Sequence, residues 1–183
     1  LGAPLDVVVA VKVGAPWNEE LALGAVAGDG SRWLNDDLVA RVGVDDDYLD
    51  RACEEAAAAA RAKVDRYRAG REGEFLPELA GRRVVVVDDG LATGATATAC
   101  LRAVRAAGAA HVTLAVPVGS AESVSALRDE ADAVVVPETP RAFTAVGAYY
   151  DSFGQVSDDE AVALLRAAGT DEGDGGDGGA DVR

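Results

Sequence analysis

The sequence predicts an α/β fold in which a parallel sheet is flanked by helices. Short apolar runs at residues 84–87, 111–118 and 133–136 alternate along the chain with helical patterns. Such alternation is typical of parallel strands that are joined by right-handed helical crossovers. Residues 84–87 are valines in succession, and an unbroken β-branched run predicts a strand that is buried on both faces.

The first third of the chain predicts a strand, a hairpin and a long helix. Residues 5–13 form an apolar run, which predicts a buried strand that ends before Gly14. Residues 17–35 predict a short hairpin, and Asn35 is a typical start for a helical turn. Residues 45–68 are rich in alanine, so they predict a long helix. Its apolar face would contain Leu49, Cys53, Ala56, Ala60 and Val64.

The remaining elements follow from similar patterns. Residues 97–107 predict a helix that stops at Gly108, and residues 120–129 predict another. Ser157 begins a capping box, so a last helix is expected through residue 168. We therefore expect one domain at residues 1–168. The tail at residues 169–183 is rich in glycine and aspartate, cannot bury a core and is expected to be disordered.

Composition excludes several classes of protein. The 183 residues contain no run of 18 apolar residues and no signal-peptide pattern, which predicts a cytoplasmic protein without membrane contact. Cys53 and Cys100 lack metal-ligand spacing, so both are expected to be reduced and buried. Asp and Glu number 32 against 17 Lys and Arg, giving a net charge of −15. Binding to nucleic acid is not expected, because it needs a basic face.

The acidic balance also predicts a halophilic source. Among the basic residues only Lys12 and Lys63 are lysine. A dense carboxylate surface with little lysine keeps a protein hydrated and dispersed at very high salt. There the Debye length is about 3 Å or less, and self-repulsion is screened. We therefore expect the fold to loosen below molar salt.

The most informative segment is residues 84–96, where a turn of small residues connects the valine strand to a helix. The first backbone N–H groups of a helix are unpaired and carry partial positive charge, so they attract a phosphate. Gly90 and Gly94 allow the backbone to close around such an anion. Thr93 and Thr96 add hydroxyl donors. The segment therefore predicts an anion site.

Two acids, Asp88 and Asp89, stand between the strand and this turn. They cannot bind a phosphate directly, because like charges repel. Their carboxylates can accept hydrogen bonds from vicinal hydroxyls, or they can face a metal ion. A ligand with a phosphate at one end and a diol at the other, such as a sugar phosphate, would satisfy both halves.

This segment resembles the phosphoribosyl pyrophosphate binding motif of type I phosphoribosyltransferases, which has four apolar residues, two acids and a small loop with Thr-Gly-x-Thr. Residues 12–16, 18–26 and 145–150 are similar to a poorly characterised group within that family. The resemblance covers residues 1–168. It implies a Rossmann-like parallel sheet flanked by helices, with a small hood or hairpin region.

The resemblance also implies roles for individual residues. In that family the two acids hold the ribose 2′- and 3′-hydroxyls, so Asp88 and Asp89 would be the catalytic pair. The cofactor would be Mg²⁺, bound through the substrate or facing these two acids. The loop and helix start would bind the substrate, the 5′-phosphate in particular, through Gly90, Ala92, Thr93, Gly94, Ala95 and Thr96.

Lys12 is the remaining candidate for the site. Ligands of parallel sheets bind beyond the carboxyl ends of the strands, so Lys12, Asp88 and the loop after Val118 are expected to converge. The resemblance implies that a basic residue near Lys12 contacts the pyrophosphate. The alternative is a lysine that extends into solvent.

The implied activity is transfer of the 5-phosphoribosyl group from phosphoribosyl pyrophosphate to a nitrogenous base or similar small-molecule nucleophile, with release of pyrophosphate. The alternatives are a non-catalytic regulatory protein that binds phosphoribosyl pyrophosphate or a nucleotide, and an inactive truncated paralogue. They rest on a departure from the family, whose members usually have a further strand and a pyrophosphate loop, expected upstream of Leu1. Tyr149, Tyr150 and Phe153 would either stack on a planar base or form a separate small core. A homodimer is also expected.

Overall fold

The computed structural model describes residues 3–68 and 79–170, and the first half of these residues forms an antiparallel sheet with two helices. The strands are β1 (Ala10–Ala15), β2 (Asn18–Ala27) and β3 (Arg32–Leu34), in this order in the sheet. The helices are α1 (Asp36–Val42) and α2 (Asp46–Arg68). The predicted hairpin, the helix start at Asn35 and the long alanine-rich helix are confirmed.

The second half forms a parallel sheet with the strand order β4-β5-β6. Its strands are β4 (Arg83–Val87), β5 (His111–Ala115) and β6 (Ala133–Val135). Helix α3 (Ala95–Ala106) connects β4 to β5, and helix α4 (Ala121–Leu127) connects β5 to β6. A 3₁₀ turn (Val146–Tyr149) and helix α5 (Asp158–Thr170) follow. The predicted α/β class, with a parallel sheet and flanking helices, is confirmed.

Helix α3 packs against both sheets, because its small residues allow close approach on two sides. Leu101 and Val104 join the core of the parallel sheet, where they meet Leu114 of β5. On the other side, Ala95 and Ala99 form a cluster with Ala25 of β2. Most of the helix is buried: Ala95, Ala97, Thr98, Ala99, Cys100, Leu101, Ala103 and Val104. The start of α3 is therefore fixed between the two sheets.

The predicted strand at residues 5–13 is wrong in extent and in pairing. Residues 5–9 form no strand; β1 begins at Ala10 and pairs antiparallel with β2, so that Lys12 lies opposite Ala25. An apolar run fits either kind of pairing, and the tight turn at Pro16 and Trp17 brings β2 back beside β1. The first strand therefore lies outside the parallel sheet.

Strand β4 is buried on one face only, which corrects the expectation for its valines. Val84 and Val86 contact the core that contains α3. Val85 and Val87 point to the opposite face and are 61% and 73% exposed. Val135 of β6 shares that face, since Val87 pairs with Ala115 and Ala115 pairs with Val135, and it is 51% exposed. The described residues leave this face of the sheet open to solvent.

Local signals in the sequence are confirmed at the helix ends and the cysteines. The Asn35 side chain accepts a 3.0 Å hydrogen bond from the Leu38 N–H and so caps α1. The Ser157 N–H and hydroxyl donate to the Glu160 carboxylate, which completes the capping box of α5. Cys53 and Cys100 are free and buried.

The end of the chain is described in part. Helix α5 extends to Thr170, and residues 171–183 of the expected disordered tail lie outside the described residues. Within residues 3–68 and 79–170, no helix is both long enough and apolar enough to cross a membrane.

Candidate functional site

The acidic pair lies at the carboxyl end of β4. The strand ends at Val87, and both Asp88 and Asp89 are exposed at the sheet edge. The Asp88 carboxylate accepts a 2.9 Å hydrogen bond from the Asp89 backbone N–H. Partial loss of hydration water raises the pKa of Asp88 above that of an ordinary aspartate, and the charge of Asp89 acts in the same direction. The pair therefore concentrates negative charge at one end of the parallel sheet.

The loop after the acids is held by the chain that follows β5. The Leu91 N–H donates to the Val118 carbonyl at 2.9 Å, and the Leu91 carbonyl accepts from the Ser120 N–H at 3.0 Å. The side-chain hydroxyl of Ser123 donates to the Ala92 carbonyl at 2.6 Å. The loop that follows the two acids therefore lies against the loop after Val118, whereas a contact of Asp88 itself with that loop stays a prediction.

Gly94 sets the geometry at the start of α3. Its φ of +75° lies in the left-handed region, which glycine adopts without strain. Gly94 has no side chain to cap the helix, and its carbonyl accepts hydrogen bonds from the N–H and the hydroxyl of Thr98. The first N–H groups of a helix have no partner within it, so this end of α3 offers donors to an anion.

A cavity of about 250 Å³ separates the end of β4 from the chain that precedes β1. Asp88 and Thr96 both line it, so an acid and the first turn of α3 share one opening. The rest of the lining is apolar: Val8, Val9, Ala10, Val86, Val87, Ala97, Cys100 and Leu114. Burial raises the pKa of the Cys100 thiol to about 12, so the thiol stays neutral and is no nucleophile.

Most of the predicted site residues are brought together by this arrangement. The two acids, the loop from Gly90 through Ala92 to Gly94 and the first residues of α3 are consecutive in the chain and surround the end of β4. Lys12 is different. It is exposed on β1 and does not line the cavity. The expectation that β1 ends in the same parallel sheet as β4 is wrong, and a contact between Lys12 and pyrophosphate stays a prediction.

Sequence reasoning missed two contacts of the site. From the sequence, Tyr150 is expected only to stack on a planar base or to join a separate core. In the structure its hydroxyl donates a 2.7 Å hydrogen bond to the Asp89 carbonyl. No spacing signal could reveal this bond, because the two residues are far apart in the chain. Ser123 is 5% exposed and holds the Ala92 carbonyl. The only feature of the sequence that points to Ser123 is its position three residues after Ser120, at the start of α4.

The aromatic residues after β6 pack on one another. The rings of Phe143 and Tyr149 are stacked with centroids 5.8 Å apart. The rings of Tyr150 and Phe153 are tilted at 5.2 Å. Tyr149 and Phe153 remain 38% and 51% exposed, so these contacts pair the rings without burying them, and stacking on a base and a separate small core both stay predictions.

The donor set fits a magnesium ion that is bound mainly through a substrate. Within the described parts of the chain, His, Cys, Asp and Glu side chains form no group of three or more that could hold a metal ion. Asp88 and Asp89 supply adjacent exposed carboxylates, and carboxylate oxygen is a ligand that Mg²⁺ prefers. In proteins Mg²⁺ is commonly held by one or two carboxylates together with substrate phosphates and water.

Comparison with known proteins agrees with this geometry. The family model of the phosphoribosyl transferase domain matches residues 4–151. Two sequences from strains of Mycobacterium tuberculosis, both named "Putative phosphoribosyl transferase", are 45% identical to this chain over 176 residues. The match covers 96% of this chain but only 39% of each relative.

A solved structure shares the fold of this chain. The crystal structure of TT1426 from Thermus thermophilus aligns with a TM-score of 0.69 and 43% sequence identity. The alignment covers 90% of this chain and 76% of the other. A family match over most of the chain, close relatives and the shared fold lead to one conclusion. The chain belongs to the type I phosphoribosyltransferase family.

Proposed function

We propose that this chain transfers a 5-phosphoribosyl group from phosphoribosyl pyrophosphate to the nitrogen of a small-molecule acceptor and releases pyrophosphate. The proposal rests on one observation: Asp88 lines the same cavity as Thr96 in the first turn of α3. An acidic side chain and an anion-binding helix N-terminus at one cavity suit a ligand that has a ribose diol and a phosphate.

The two ends of the ribose phosphate would contact different groups. Asp88 and Asp89 accept hydrogen bonds from the 2′- and 3′-hydroxyls. The 5′-phosphate contacts the N–H groups and hydroxyls of the loop and helix start, which comprise Gly90, Ala92, Thr93, Gly94, Ala95 and Thr96. Lys12, as the exposed ammonium of β1, is assigned to the pyrophosphate.

In the reaction, the bond between C1 of the ribose and the pyrophosphate oxygen breaks, and its electron pair leaves with pyrophosphate. A lone pair of the acceptor nitrogen forms the new bond to C1, and the nitrogen releases its proton. Positive charge develops on the ribose ring, and the carboxylates of Asp88 and Asp89 stabilise it while they hold the hydroxyls. A bound Mg²⁺ would neutralise negative charge on the pyrophosphate leaving group.

The test is titration calorimetry with phosphoribosyl pyrophosphate and Mg²⁺. A charged hydrogen bond is worth about 1–3 kcal/mol, so each of Asp88→Asn and Asp89→Asn should raise Kd about 5-fold to about 150-fold. The matched control is Asp36→Asn with Asp37→Asn, which changes an exposed Asp-Asp pair on α1. Unchanged affinity in the site variants, or an equal loss in the control, would contradict the assignment.

A second measurement separates an enzyme from a regulatory binder. Pyrophosphate release is followed with a panel of nucleobases as acceptors. Release that depends on one acceptor supports transfer, whereas tight binding without release from any acceptor supports the non-catalytic alternative. A cytoplasmic location, a homodimer and the lack of nucleic-acid and membrane partners stay predictions.

A further inference from the structure

We propose that Tyr150 is a positioning residue that holds the peptide between Asp89 and Gly90 in the orientation needed for ribose binding. The proposal rests on the function proposed above and adds a residue to its site. Its basis is the 2.7 Å hydrogen bond from the Tyr150 hydroxyl to the Asp89 carbonyl.

This peptide needs an external restraint. It lies between the end of β4 at Val87 and Leu91, the first residue of the loop whose N–H donates to a backbone carbonyl. Glycine has the widest backbone freedom of all residues, so the peptide before Gly90 has a low barrier to reorientation. A reorientation would move the Asp89 carboxylate relative to the phosphate loop. A hydrogen bond to the Asp89 carbonyl opposes that movement.

A second contact from the same segment acts on Gly90 itself. A Cβ on Gly90 would lie 2.7 Å and 2.9 Å from the two methyl groups of Val146, and 3.0 Å from the Val118 carbonyl. Val146 therefore packs directly on the glycine backbone. The segment from Val146 to Tyr150 contacts the acidic turn twice, through one hydrogen bond and one packed side chain.

The segment that supplies these contacts has its own internal support. Tyr150 packs on Phe153, with ring centroids 5.2 Å apart. Phe153 in turn fills the space beside Gly147, where a Cβ would lie 2.7 Å from its ring. Tyr150 is half-buried by these neighbours, so its hydroxyl is directed rather than freely mobile. A restraint that exists before binding lowers the entropy cost of binding.

The test compares Tyr150→Phe with Tyr149→Phe. The first variant keeps the ring on Phe153 and loses only the hydroxyl. It should weaken binding of phosphoribosyl pyrophosphate with Mg²⁺ about three- to tenfold, the usual effect of one neutral hydrogen bond. The control hydroxyl of Tyr149 reaches the Ala142 carbonyl at 3.3 Å on an exposed surface, so its loss should leave Kd unchanged.

Amide hydrogen exchange provides a readout without any ligand. The Leu91 N–H follows the restrained peptide and donates to the Val118 carbonyl, so it should exchange faster in Tyr150→Phe than in the wild type or in Tyr149→Phe. Far-UV circular dichroism should be the same for all three proteins.

The outcomes separate this inference from the proposed function. If the wild type binds and the Asp88 and Asp89 variants do not, but Tyr150→Phe binds like the wild type, only the positioning role is overturned. If the wild type fails to bind, the proposed function falls, and the exchange rate at Leu91 still decides the restraint. An exchange rate unchanged by Tyr150→Phe overturns it.

Discussion

Asp88 is subject to two opposing demands, one from the fold and one from the ligand. Neighbouring atoms remove part of the water around its carboxylate, and the charge of Asp89 lies nearby, so the pKa of Asp88 is raised above the ordinary value of 3.8. A ribose diol, by contrast, requires the ionised form as a hydrogen-bond acceptor. The proposed role of Asp88 in binding therefore comes at some expense to the stability of the free protein.

Asp88→Asn should accordingly stabilise the free protein at neutral pH while it weakens ligand binding. A carboxyl whose pKa is raised by folding contributes nothing to the pH dependence below the unfolded pKa, and it destabilises the fold as the pH rises through the folded pKa. Asparagine does not ionise, so the variant lacks this destabilisation. Its advantage should be absent near pH 3 and should reach a plateau at neutral pH.

The expected gain is below about 1 kcal/mol, because the exposed side of Asp88 is screened by solvent. Thermal unfolding of the variant and the wild type from about pH 3 to about pH 8 measures it. The control is Asp151→Asn, which removes an exposed aspartate from the loop after Tyr150. A variant that is less stable than the wild type at neutral pH would show that the carboxylate supports the fold instead.

Among individual residues, the sequence predicted those whose placement depends on their neighbours in the chain. Asp88, Asp89 and Gly94 follow a strand and precede a helix, so their placement is set within about ten residues of chain. Tyr150 could not be predicted in the same way. Its partner is the Asp89 carbonyl, and every residue has such an acceptor, so only the tertiary fold selects the pair.

Among the elements, the helices were predictable and the pairing of β1 was not. Helix α2 shows its buried face in its own periodicity, with Cys53, Ala56 and Val64 buried as expected. Residues 5–13 show only that they are apolar. Whether such a run pairs parallel or antiparallel depends on the partner strand, which the hairpin turn at Pro16 and Trp17 supplies.

Asp132 connects three elements of the parallel half. Its carboxylate accepts a 2.7 Å hydrogen bond from the Val112 N–H of β5 and a 2.8 Å bond from Arg105 at the end of α3. It lies directly before β6. The Val112 N–H, followed by Arg105, lowers the pKa of Asp132, so the folded state favours the ionised carboxyl.

Asp132→Asn should therefore lower stability at neutral pH and have less effect in acid. A depressed pKa contributes stability that is fully present above the unfolded pKa and is lost as the pH falls through the folded value. The melting temperatures of variant and wild type should differ most near pH 7 and approach each other below about pH 3. Asp129→Asn, on the exposed chain before β6, is the control. A difference that persists unchanged in acid would assign the effect to packing rather than to charge.

In the molecule as a whole, repulsion between carboxylates opposes the stabilisation that comes from a core with few large aromatic side chains. The net charge is −15, while aromatic residues make up only 5% of the chain. The ion pairs that offset this charge are largely at the surface, such as the one between Arg66 and Asp158. Exposed pairs contribute little. Val85 and Val87 also leave apolar surface in contact with water. Salt screens the charge repulsion and strengthens the burial of apolar side chains in the core, so the folded state should be favoured more strongly as salt increases.

The halophilic hypothesis therefore predicts a fold that tightens with salt. At about 1 M salt the Debye length is about 3 Å, so repulsion between separate carboxylates is nearly abolished. Raising KCl from about 0.1 M to about 2 M should raise the melting temperature by at least about 6 °C, which corresponds to about 2 kcal/mol for a chain of this size. Differential scanning calorimetry measures the change.

The pH dependence of this salt effect identifies its cause. Towards the isoelectric point of about 4.3, the net charge disappears. If repulsion between carboxylates is responsible, the gain from KCl should shrink as the pH falls from neutral towards that value, because little charge is left to screen. A gain that is equal at both pH values would point to the apolar core, since salting-out of the side chains that folding buries does not depend on carboxylate ionisation. Circular dichroism and melting temperature that are unchanged between dilute buffer and molar KCl would contradict the halophilic hypothesis altogether.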